Sequence, residues 1–227
     1  MRIFYALLVS FCVWGPLIAQ DVKFTHYNDN NGLSHNSIRH IVQDENGFLW
    51  FGTFAGLNRF DGYQFKSYVS SDKESSSILN DDITALEFNA KSNHLWIGTR
   101  GGLTLLETDT HTFRTYLPDS QKNTALPERE IRSVWVDKWE RVWVGTRTQG
   151  LSILNVDTDS FERIEIQGFE YIKEIFEDSE GNIWIGSFET GGVAKVQLNS
   201  KARLFRLPNL NCPYLIQIRK ILCQFHL

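Results

Sequence analysis

Cysteine is nearly absent from the body of this 227-residue sequence. Cys12 falls in the first twenty residues, and Cys212 and Cys223 fall in the last twenty. With none between them, a disulfide framework and a cysteine-rich zinc module are both excluded as the source of stability. Basic residues are not in excess: 23 Lys and Arg face 27 Asp and Glu, a formal net charge of −4. That balance provides no positive surface for nucleic acid. No apolar run reaches the about 20 residues that cross a bilayer as a helix. The common catalytic signatures are also missing, with no His-Glu-x-x-His, no Cys-x-x-Cys, no phosphate-cradling glycine loop, no Gly-x-Ser-x-Gly and no EF-hand loop.

What the sequence does have is aromatic residues, 13% of the chain, at regular spacing. Residues 38 to 68 set the pattern, with four short apolar runs: Ile38 to Val42, Phe48 to Thr53, Gly56 to Phe60 and Gln64 to Tyr68. Asp44-Glu45-Asn46-Gly47 separates the first two runs, because Asn and Gly tolerate the positive φ of a tight turn. Gly56 and Asp61-Gly62 mark the other reversals. The unit recurs from Ile83, Ile131 and Ile172. Its anchor tryptophans Trp50, Trp96, Trp143 and Trp184 stand 46, 47 and 41 residues apart. Each is followed two residues later by Gly52, Gly98, Gly145 or Gly186, and then by Thr or Ser. Four strands per unit at this period predict an all-β fold, a β-propeller of four-stranded antiparallel blades, with four blades forming an incomplete ring.

Side-chain spacing fits sheets packed face to face. The second strand of each unit is apolar almost throughout, as expected where both faces are buried. The fourth strand reads Phe65-x-x-Tyr68, Phe113-x-x-Tyr116 and Phe161-x-x-Ile164. The odd offset sends the two large residues to opposite faces, one for each neighbouring blade. The Gly after each Trp shares the face of that Trp, where it lets the next sheet approach closely. These residues are read as core packing rather than as a binding site.

Residues 1–19 read as a signal peptide: Met1-Arg2, an apolar Ile3 to Val13, a break at Gly15-Pro16 and a small Ala19. The expected location is therefore exported and periplasmic. Val22 to Tyr27 resembles a blade's fourth strand and is expected to close the ring on the last blade. The blades are expected over about 22–69, 78–117, 126–166 and 168–208. Beyond Pro208 the register is lost. Residues 209–227 are expected to lie outside the propeller, as the mark of a truncated or frame-shifted product.

The run from Asn30 to Tyr68, with its Gly32-Leu33-Ser34, Asp44-x-x-Gly47-x-x-Trp50, Gly52-Thr53-x-x-Gly56-Leu57 and Asp61-Gly62, resembles the first blade of the two-component regulator propellers. Those are periplasmic sensor regions of bacterial hybrid histidine kinases, and the similarity covers about residues 22 to 208. The fourth unit keeps Asp178, Gly181 and Trp184, and the third keeps Asp137 and Trp143 but has Glu140 at the turn glycine. The second has a turn one residue longer, Asn89 to Asn93. The resemblance implies an extracytoplasmic ligand-sensing domain, often for polysaccharide fragments. In the family it is followed by a β-sandwich, a transmembrane helix and a cytoplasmic output, usually a histidine kinase and in some relatives a diguanylate cyclase. The expected partners are thus a small molecule or oligosaccharide and, in a full-length parent, that output module. Membrane attachment is expected only through parts absent from this sequence.

Ligand contacts in a propeller come from loops at one end of its channel. The loops leading into each innermost strand and those linking strands two and three share an end, because strand direction alternates. The candidates are Asn36, Asn80, Asp82 and Arg129 before inner strands, with Phe54, Arg100 and Arg147 after the Gly-Thr pairs. Arg100 and Arg147 occupy equivalent positions and could engage a carboxylate or sulfate on a sugar, or could be exposed loop arginines. Asp44, Asp137 and Asp178 are assigned to hairpin turns, and Asp81-Asp82 and Glu128/Glu130 to solvated turns rather than acid/base pairs. His35 and His40, an odd offset apart, point to opposite faces and do not make a metal site. No catalytic residue, cofactor or metal is expected, and the chain is read as non-enzymatic. The alternative is a stand-alone secreted propeller, acting as a glycan-active enzyme or as an interaction scaffold. An open arc would also expose apolar faces and strand edges, which predicts poor solubility in isolation.

Overall fold

The computed structural model describes residues 23–71, 77–188 and 191–196. Fifteen strands form four separate antiparallel sheets, each an up-and-down meander. The first blade contains β1 (Ile38–Gln43), β2 (Leu49–Thr53), β3 (Gly56–Phe60) and β4 (Phe65–Tyr68). The second contains β5 (Ile83–Asn89), β6 (His94–Thr99), β7 (Leu103–Glu107) and β8 (Thr112–Tyr116). The third contains β9 (Ile131–Val136), β10 (Val142–Thr146), β11 (Leu151–Asn155) and β12 (Ser160–Ile164). The fourth contains β13 (Ile172–Glu177), β14 (Ile183–Ser187) and β15 (Val193–Val196). The expected fourth strand of that blade lies outside the described residues, as do the leader over 1–19 and the tail over 209–227.

The core is three successive seams between blades. The first holds Trp50, Leu57, Ile83 and Leu95; the second Trp96, Leu105, Ile131 and Val144; the third Trp143, Ile153, Ile172 and Ile185. At each seam the glycine two residues after the tryptophan receives the first isoleucine of the next inner strand. A Cβ added to Gly52, Gly98 or Gly145 would lie 2.7, 2.7 or 2.6 Å from Cγ2 of Ile83, Ile131 or Ile172. Those isoleucines are fully buried. The aromatic pairs of the outer strands divide as the odd offset predicts. Tyr68 packs on Trp50 of its own blade and Phe113 of the next, and Tyr116 on Trp96 and Phe161.

The repeated Asp and Thr positions have clear local roles. Asp44 Oδ1 accepts from the Asn46 and Phe48 amides, while Oδ2 accepts the Trp50 indole N–H at 2.8 Å. Asp137 repeats this with Trp139, Arg141 and Trp143, and Asp178 with Glu180, Asn182 and Trp184. The aspartate thus closes its hairpin as expected and also grips the blade's tryptophan. The Trp184 indole, with the Asn182 donors, holds the Asp178 carboxyl well below the ordinary carboxylate range. The buried hydroxyls of Thr53, Thr99 and Thr146 donate to the carbonyls of Gly56, Gly102 and Gly150, fixing the loops between second and third strands.

One expectation changes. Residues 23–28 form no strand and pair with none among the described residues. Tyr27 instead sets its ring edge-on against Phe60 and Phe65, on the face of the first blade that no preceding blade covers.

Candidate functional site

The loops that link second and third strands lie beside the loops that lead into inner strands, as strand alternation requires. The Gly56 amide donates to the Asp81 carbonyl of the second blade, and the Gly150 amide to the Glu170 carbonyl of the fourth. These loops form one end of the arc. There an ion-pair chain crosses three blades. Arg39 in β1 and Arg100 after β6 reach the two oxygens of Asp82, at 3.1 and 2.7 Å. Arg100 also lies 3.9 Å from Glu130, which pairs with Arg132 in β9 and with Arg147 after β10, the latter at 3.1 Å.

The acids sit at the base and the cations at the rim. Side chains of Asp82 and Glu130 are 17% and 19% exposed, whereas Arg100 and Arg147 are 50% and 51% exposed. Four guanidinium groups against two carboxylates leave the cluster positive, and its two outer cations face solvent with donors to spare. Asp82 Oδ1 meets Arg39 as an ion pair without an aligned hydrogen bond. Aromatic rings flank the chain at both ends: Arg39 lies over Phe54, whose ring meets His35, and Arg132 lies over Tyr171, whose ring meets Phe188. Phe54 and Phe188 are exposed.

Of the residues singled out from sequence, Asp82, Arg100 and Arg147 come together in this chain, and Phe54 flanks it through Arg39. Asn80 and Asn36 do not face it as ligand groups. Asn80 Oδ1 accepts the Asp82 amide, which positions that carboxylate, and Asn36 Oδ1 accepts the Asp29 amide in the turn before β1. Arg129 is exposed and joins none of these ion pairs. The solvated-turn assignment of Glu128 and Glu130 is corrected. Glu128 accepts from the Thr148 and Gln149 amides, and Glu130 is the hub of the ion pairs. Arg39, Arg132 and Tyr171 were not singled out. The alternation Arg39-x-x with Asp82 and Glu130-x-Arg132 at the inner-strand starts is the signal that carried them.

A second polar group lines the inner strands below. His40 Nε2 bonds to the Thr84 carbonyl at 2.8 Å, and the Thr84 hydroxyl donates to the Ile131 carbonyl, tying three blades together. Burial lowers the His40 pKa, favouring its neutral form. Burial raises the Glu87 carboxyl to about 7, although the Val136 amide donates to it, and the charge of Glu174 adds to the rise. Among the described residues no group of three His, Cys, Asp or Glu is arranged to hold a metal. No helix among them is long and apolar enough to cross a membrane.

Comparison with known proteins bears on this architecture. The extracellular domain described as that of the hybrid two component system BT3049 from B. thetaiotaomicron superposes with a TM-score of 0.70 at 28% identity. That match covers 78% of this chain and 25% of the other. Histidine kinase P4 from Formosa agariphila is 41% identical over 78 residues, which are 34% of this chain and 6% of that protein. Virginiamycin B lyase from Staphylococcus aureus superposes with a TM-score of 0.57 at 14% identity, over 82% of this chain and 64% of its own, a likeness of fold alone. This chain therefore spans about a quarter or less of the two signalling proteins it resembles. Residues 32–55 and 168–189 match the sequence profile of the two component regulator propeller, in the first and fourth blades. The chain is a β-propeller arc bearing two-component regulator propeller repeats.

Proposed function

We propose that this arc is the ligand-recognising part of an extracytoplasmic, periplasmic sensor in a two-component system, and that its ligand is an acidic oligosaccharide or another small anion. The observation that carries this reading is the pair Arg100 and Arg147, half exposed at equivalent positions above carboxylates that orient them. Each guanidinium has planar donors left over for a carboxylate or sulfate. Exposed Phe54 and Phe188 flank them and offer apolar faces for sugar rings. In this reading the chain does no chemistry of its own, and binding is reported through a histidine kinase or cyclase module elsewhere in the signalling protein.

The test is calorimetric titration with oligogalacturonate, a heparin-derived oligosaccharide and neutral maltotetraose. Binding of an acidic oligosaccharide is expected, at least tenfold weaker in the Arg100→Ala/Arg147→Ala double variant and weakened by salt. Equal binding of neutral and acidic sugars, or a double variant that binds as the parent does, overturns the proposal.

A further inference from the structure

Each seam joins a socket to a plug. The socket is the far face of a blade, centred on its anchor tryptophan and the glycine after it. The plug is the first isoleucine of the next inner strand. Three of each meet inside the arc: Gly52 with Ile83, Gly98 with Ile131, and Gly145 with Ile172. One socket and one plug remain unmated among the described residues, at opposite ends of the same chain. A Cβ on Gly186 would meet only Glu174, at 3.6 Å, and Trp184 beside it is 36% exposed where Trp50, Trp96 and Trp143 are 1%. Phe176 and Val193, paired in register with Trp184 and Gly186, are exposed with it. Ile38, the first residue of β1, is 37% exposed where its three counterparts are buried, and Ile41 on the opposite face of β1 is 58% exposed.

We infer that two copies of this chain associate head to tail, the Trp184–Gly186 face of each receiving Ile38 of the other. The occupant is specified by repetition. What enters a Trp–Gly socket three times in this molecule is an inner-strand isoleucine of the same repeat, and the only unmated one among the described residues is Ile38. A single partner copy satisfies both open faces at once. A two-fold axis along the channel then relates two identical junctions, and two four-blade arcs close a ring of eight, within the about four to eight blades propellers use. Closure also removes the exposed apolar faces at both ends of the arc.

The experiment is the mass of the full exported chain in solution, by light scattering on a sizing column, with far-ultraviolet circular dichroism as a check on folding. The wild type is expected at twice the monomer mass. Gly186→Leu fills the socket without crowding its own blade, since nothing in the monomer lies closer than 3.6 Å. Ile38→Asp removes the plug. Each variant alone is expected at the monomer mass. An equimolar mixture is expected to return to twice that mass, because one intact socket and one intact plug remain between the two. A monomeric wild type overturns the inference, including one in which residues 197–227 cover the Trp184 face. Dimeric single variants, or a mixture that stays monomeric while both variants keep the wild-type dichroism, overturn it as well.

Discussion

Gly98 and Ile131 touch across the seam between the second and third blades so closely that a methyl group on the glycine would lie 2.7 Å from Ile131 Cγ2. Gly98→Ala is therefore expected to cost about 1–3 kcal/mol through overpacking. In an Ile131→Ala background, where the offending methyl is gone, the same change should cost less than about 0.5 kcal/mol. Urea unfolding of the four species of this cycle measures the coupling. Additive effects would show that the glycine has some role other than clearance.

The aspartate that begins each hairpin supports a buried tryptophan as well as the turn. Asp44→Ala removes the acceptor of the Trp50 indole and of two backbone amides. A loss of about 2 kcal/mol or more is expected, since the indole is almost wholly buried. Asp61 also accepts two amides, from Tyr63 and Gln64, but in an exposed turn with no ring to hold. Its alanine variant should be milder. A shift in unfolding midpoint for Asp61→Ala equal to that for Asp44→Ala would refute the role assigned to the indole bond.

Glu87 makes stability depend on pH. Its carboxyl is raised from 4.5 to about 7 by burial, so the folded chain holds a proton that the unfolded chain releases. The stabilising contribution is complete below pH 4.5 and is lost as the pH rises through 7. The whole effect is on the order of 3 kcal/mol. His40 acts in the opposite sense. Its lowered pKa favours the neutral ring, so its contribution holds above 6.5 and falls away in acid. Glu87→Gln should flatten the decline between pH 5 and 8, read from unfolding midpoints across that range. An unchanged slope would show that Glu87 is not the group responsible.

The blades were legible in the sequence because their signals are local. Asp44, Gly47 and Trp50 lie within one hairpin, and Gly52-Thr53 within one turn, so periodicity alone exposes them. Glu140, which stands at a turn glycine, takes a φ of +66° and keeps the hairpin at some backbone cost. Even that departure leaves the register intact. The site was only half legible. Asp82, Arg100 and Arg147 follow from the rule that alternate loops share an end. Their partners Arg39, Glu130 and Arg132 follow only from how neighbouring blades are turned against each other, which no spacing along the chain encodes. Asn36 and Asn80 were misplaced for a related reason: a short amide in a loop bonds its own backbone as readily as a ligand. Tyr27 went to the uncovered face of the first blade because that face was available.

The seam geometry also gives assembly a direction. Every socket lies on the far side of its blade and is filled by a residue that comes later in the chain. During synthesis each sheet emerges with its tryptophan face bare, and that face is covered only when the following isoleucine leaves the ribosome. The order of translation is thus the order in which the seams close, and a pause between blades holds a bare tryptophan face open.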